Sequence, residues 1–134
     1  RMPQHCANAL AVAKFVQKHP KIAWVNYPGL EGDKYHDLAQ KYMPKGTCGV
    51  VTFGVKGGRK AAETFMAGLK LASIATHVAD AKTCVLHPAS STHRQLSEAE
   101  LAAAGVSADL IRLSVGIEDI TDILADLEQA LDQV

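Results

Sequence analysis
Two rhythms of apolar and polar residues alternate along this chain. Between residues 4 and 18, Ala9, Leu10, Ala13, Val16 and Gln17 fall at helical intervals among good helix formers, which predicts a helix that stops before Pro20. Ile22 to Asn26 reads as a short strand, and Tyr27-Pro28-Gly29 as the turn that leaves it. Asp33 is placed to cap a second helix with Leu38 and Tyr42 on its apolar side, closed by Pro44 and Gly46. Cys48 to Val55 is apolar on both faces and predicts a central strand. Gly57-Gly58 turns the chain into a third helix that ends near Gly68 and points Ala61, Ala62, Phe65, Met66 and Leu69 inward. Two edge strands are expected, Leu71 to Ile74 and Thr83 to Leu86. Ser97 with Glu100 three residues later is a capping-box pattern, opening a short helix that stops at Gly105. Asp109 to Val115 is the last strand. A final helix from Asp119 to Ala130 carries Ile120, Ile123, Leu124, Leu127 and Leu131 on one stripe, with acidic Glu118, Asp119 and Asp122 at the positive end of its dipole.

Short strands alternating with helices predict an α/β (α+β) domain of two layers, a mostly antiparallel sheet with helices on one face. The other face then needs cover, from missing chain or a partner subunit. No repeat, linker or low-complexity stretch divides residues 1–134, which read as a single domain. The chain opens on Arg1 with an amphipathic pattern already running, so it is expected to be a piece of a larger protein.

The last strand carries the sharpest chemical signal. Leu110, Arg112 and Ser114 point one way, and Ile111, Leu113 and Val115 the other. An arginine is always charged, and burying one is costly unless an anion meets it. Arg112 therefore belongs either to a site for an acid or to a surface ion pair. Ser73, taken alone, is only a small hydroxyl at a strand end.

Composition narrows the partners. Lys+Arg and Asp+Glu balance at 14 each, which points away from nucleic acid and from acidic membranes. No apolar run is long enough to span a bilayer. The odd, scattered Cys6, Cys48 and Cys84 suit a reducing, cytoplasmic compartment better than a disulfide framework.

Other candidates are weaker. Cys84, His87 and His93 fit no standard zinc spacing, and the two histidines read as loop anchors, so no metal is expected. Gly54-Val55-Lys56-Gly57-Gly58-Arg59 is glycine-rich and basic but matches no phosphate-loop pattern. Cys48 reads as inert core rather than a nucleophile.

The run HPASSTHRQLSEAELAAAGVSADLIRLSVGIEDITDILADLEQAL (His87 to Leu131) resembles the C-terminal end of the Cys/Met-metabolism family of pyridoxal-phosphate enzymes. HCANALAVAKFVQKHPKIAWVNYPGL and YMPKGTCGVVTFGVKGG are similar to that family's linker helix and first small-domain strands, so the resemblance covers the whole chain. LSEAELAAAGV, and Ser73-Ile74-Ala75-Thr76 where other members tend to read SLGG, favour the sulfhydrylase branch over the γ-lyase and cystathionine branches. The resemblance implies a small C-terminal domain packed on a large cofactor domain, with residues 1–20 in the linker helix. It implies that Arg112 grips the substrate's α-carboxylate, that Ser73 helps hold that group, and that Thr92 lies close by. The Schiff-base lysine and the other cofactor ligands belong to the large domain, so no cofactor-binding or catalytic residue is expected in this chain. The whole enzyme, expected to be a homotetramer, would eliminate acetate from O-acetylhomoserine and add sulfide to give homocysteine. Two readings outside the family remain: a stand-alone small-molecule acid-binding module using Arg112, and an interaction domain without a site.

Overall fold
The computed structural model describes all residues from Arg1 to Val134. Five helices surround one sheet: α1 (Met2–Lys18), α2 (His36–Tyr42), α3 (Gly58–Gly68), α4 (Glu98–Ala103) and α5 (Ile120–Leu131). The strands are β1 (Ile22–Asn26), β2 (Val50–Val55), β3 (Ser73–Ile74), β4 (Cys84–Leu86) and β5 (Leu110–Ser114), in the spatial order β1-β2-β5-β4-β3. Every pairing is antiparallel except the parallel β3–β4 edge pair. The expected two-layer, mostly antiparallel class is therefore the observed one. No helix is long and apolar enough to cross a membrane.

The core lies between the sheet and α1, α3 and α5. Val51, Phe53 and Val55 of β2 and Ile111 and Leu113 of β5 meet Ala9, Val12, Val16, Ala62, Phe65, Ile123, Leu127 and Leu131 in one cluster. Phe53 and Phe65 pack edge to face with centroids 5.8 Å apart. The capping box forms as expected: Glu100 N donates to Ser97 Oγ at 3.3 Å, and Ser97 N donates to Glu100 Oε2 at 2.7 Å. Gly105, with φ +73°, closes α4.

Several expectations need correction. β2 is interior as expected, between β1 and β5, but β4 is paired on both sides rather than lying at an edge. Asp33 does not cap α2; it accepts from Tyr27 N and Tyr35 N at 3.2 and 2.9 Å, and the helix starts at His36. Leu38 and Tyr42 are exposed, and Ala39 is the residue α2 buries. On α1, Gln17 is exposed while His5 and Asn8 are buried, because both bond to the chain after β5. His5 Nδ1 lies 2.7 Å from Val115 O, and Asn8 Nδ2 donates to Gly116 O at 3.0 Å.

Candidate functional site
Alternation along β5 sends Arg112 to the sheet face opposite the three core helices. The register arranges that face in rows. Asn26, Thr52, Arg112 and Leu86 form one, and Val50, Ser114, Cys84 and Ser73 form the next. Arg112 and Ser73 thus share a face, two strands apart and in neighbouring rows, about 12 Å at the usual strand spacing and rise. The face is not bare, since Cys84, Leu86 and Ser114 are buried. The connection from β3 to β4 crosses it, tied down where Ala79 N donates to Ser114 Oγ at 3.0 Å.

Arg112 is only partly satisfied. Its Nη2 donates to Thr76 O at 2.9 Å. Its Nε is sealed from solvent without a hydrogen-bond partner. No carboxylate lies within 4.0 Å of it; the one ion pair of the chain joins His19 to Glu128. The ion-pair alternative left open by the sequence therefore fails. A buried unpaired donor costs about 1–3 kcal/mol, more when charged, so the guanidinium keeps an unmet demand for an acceptor.

Ser73 sits on the two-residue strand β3, half-buried, with its N donating to Thr83 O at 3.0 Å and its hydroxyl free of protein partners. Thr92 is different. It is exposed in the turns after the 3-10 turn Pro88–Ser90, its Oγ1 lies 2.8 Å from His93 Nδ1, and no hydrogen bond joins it to Arg112 or Ser73. His87 is a loop anchor, with Nδ1 2.7 Å from Ser90 Oγ and Nε2 2.7 Å from Ala108 O. Cys48 and Cys84 are held as thiols: burial, first among the causes, pushes both above the ordinary value of 9.0. That suits inert packing rather than nucleophilic work.

The bonding of two carboxylates, half-buried Glu118 and buried Asp126, escaped the sequence reading. Glu118 accepts from Thr83 N at 2.7 Å and Thr83 Oγ1 at 2.8 Å, joining the end of β5 to the start of β4. Asp126 accepts from three successive backbone N–H groups, those of Lys70, Leu71 and Ala72. Their donors lie far away in sequence, so spacing carries no sign of them.

The sequence profile described as Cys/Met metabolism PLP-dependent enzyme matches residues 1–132. The chain is 52% identical over 135 residues to the O-acetyl-L-homoserine sulfhydrylase of Leptospira meyeri, covering all of this chain and 30% of that protein. It is 52% identical over 132 residues to a homocysteine synthase of Schizosaccharomyces pombe, covering 98% of this chain and 31% of the relative. An L-methionine gamma-lyase of Fusobacterium nucleatum is 46% identical over 134 residues, again across the full chain and 34% of the relative. A Campylobacter jejuni crystal structure described as an O-acetylhomoserine (thiol)-lyase, carrying a pyridoxyl-lysine phosphate, superposes with a TM-score of 0.92 at 41% identity over 98% of this chain and 31% of its own. The chain spans about a third of the length of the curated relatives it matches. A profile match across nearly every residue places the chain in the Cys/Met-metabolism family of PLP-dependent enzymes.

Proposed function
We propose that this chain is the C-terminal, substrate-gripping domain of an O-acetylhomoserine sulfhydrylase. One observation carries the reading: the sealed Nε of Arg112 has no partner, and no protein carboxylate competes for it. A substrate α-carboxylate supplies that partner. It accepts from Nε through one oxygen and from Nη2 through the other, in the planar two-bond geometry that arginine favours. The Ser73 hydroxyl, on the same face, donates a further bond. Thr92 lines the outer approach in this reading and makes no direct grip. Pyridoxal phosphate, held by the large domain of the same enzyme, supplies the electron sink for losing acetate before sulfide adds. This chain's part is to fix the amino acid in place, and by itself it is inactive. The sulfhydrylase and synthase relatives, at 52% identity against 46% for the γ-lyase, favour that branch. The γ-lyase reaction is the second reading, since that relative also matches the full chain.

The test uses the full-length enzyme. Arg112→Lys keeps the charge and loses the fork, and Arg112→Ala loses both. Charge-assisted bonds contribute about 1.5–3 kcal/mol each, and about 1.4 kcal/mol is tenfold. The expected fall in kcat/KM on O-acetylhomoserine is between about tenfold and several thousandfold for Arg112→Ala. Arg112→Lys should lose less, and Ser73→Ala least. Near-normal kcat/KM with an early melt would make Arg112 a structural residue instead. Homocysteine formed from O-acetylhomoserine and sulfide, against oxoacid released from methionine, separates the two branches.

A further inference from the structure
We infer that Asp126, on the helix side of the sheet, is a positioning residue for the substrate-carboxylate site. The inference rests on the carboxylate reading of Arg112 and Ser73. Asp126 lies in α5 and is 6% exposed. Its Oδ1 accepts from Lys70 N at 2.8 Å, and its Oδ2 from Leu71 N at 3.0 Å and Ala72 N at 2.9 Å. Gln129 Nε2 supports it, donating to Asp126 Oδ1 at 3.1 Å and to Gly68 O at 2.6 Å.

These donors are the three residues directly before Ser73. The segment they belong to cannot hold its own course. α3 has ended at Gly68, and β3 is only two residues long, joined to its neighbour by Ser73 N to Thr83 O and Ala75 N to Val85 O. Three backbone N–H groups aimed at one carboxylate supply the missing constraint. Close packing fixes the carboxylate in turn: a Cβ on Gly68 would stand 3.2 Å from Ala130 Cα, so α3 and α5 touch backbone to backbone one turn beyond Asp126. At its other end the same segment reaches Arg112, through Thr76 O. Residues 70–76 are thus a short strap tied to Asp126 at one end and to the substrate-gripping guanidinium at the other. Ser73 stands between the two ties. Asp126 touches no substrate atom. It sets where Ser73 and the Thr76 carbonyl stand.

The full-length enzyme tests this. Asp126→Asn keeps the shape but turns an NH2 group toward at least one backbone N–H. KM for O-acetylhomoserine should rise about tenfold, equivalent to roughly 1.4 kcal/mol, with kcat within about twofold and the bound cofactor's spectrum unchanged. The rise should shrink in a Ser73→Ala background, because the two changes share one contact, leaving the part carried through the Thr76 carbonyl. Asp126→Glu, which keeps the charge and displaces the oxygens, should also raise KM; it carries the test if Asp126→Asn does not fold. An unchanged KM in the folded variants overturns the inference. So does a rise that is equally large without the Ser73 hydroxyl, which would mean a general loosening of the fold. Arg112→Ala runs alongside. If Arg112→Ala leaves KM unmoved, the carboxylate reading itself fails; if it raises KM while the Asp126 variants do not, only the positioning role fails.

Discussion
Cys48 and Cys84 illustrate how burial alone sets the chemistry of a side chain. Both thiols are raised above 9.0, chiefly because the interior disfavours a thiolate. Tyr27 is raised above 10.0, with desolvation again the first cause. A group whose folded pKa is raised contributes stability that is intact below its unfolded value and lost as pH climbs through the folded one. Melting temperature should therefore hold across neutral pH and fall on the alkaline side, beginning above 9.0. Replacing both cysteines by serine should flatten the first part of that fall, even if it lowers the neutral melting point. An alkaline limb of unchanged steepness would show that the thiols are not its source. Arg112 was legible at this scale because strand alternation and a lone charge among apolar neighbours need no long-range information. Asp126 was not. It sits one position from Leu127 in an amphipathic helix and reads as solvated, since its three donors come from 54 to 56 residues earlier.

At the scale of elements, the helices whose stripes and caps are local were readable, as with α3, α4 and α5. The errors fell where pairing or tertiary contact decides. Nothing in the sequence of β4 says that β3 will add beside it in parallel, which turns an expected edge into an interior strand. Gly54 shows a similar dependence on neighbours. Trp24 Nε1 donates to Asp109 Oδ2 at 2.9 Å across the sheet, and a Cβ on Gly54 would collide with both partners. Gly54→Ala should therefore destabilise by about 1–3 kcal/mol, the usual cost of overpacking. Trp24→Phe, which removes the bond but makes no clash, should cost less. Denaturant midpoints measure both. A Gly54→Ala midpoint equal to that of the unaltered chain would show that Trp24 can swing aside freely.

Over the whole molecule, α1, α3 and α5 cover one sheet face, while the chain's own β3–β4 connection partly covers the other. The expectation of an open face awaiting cover holds best near β1. There Asn26 and Thr52 border a cavity of about 520 Å³ walled by Tyr35, Leu38 and Tyr42 of the α2 region. Sequence pattern could place Arg112 on that face but could not show that one of its donors would be shut in without a partner. That unpaired Nε has a consequence for the energetics of the domain as a unit. Every other buried side-chain nitrogen or oxygen is hydrogen-bonded, so this one is a local frustration in an otherwise satisfied fold. Arg112→Met, which fills similar space with no donor, should shift the denaturant midpoint of the 134-residue chain upward while abolishing substrate capture in the whole enzyme. A downward shift would mean that the guanidinium supports the fold even when empty. An upward one would show a domain less stable than it could be, with the difference held at a single unpartnered nitrogen.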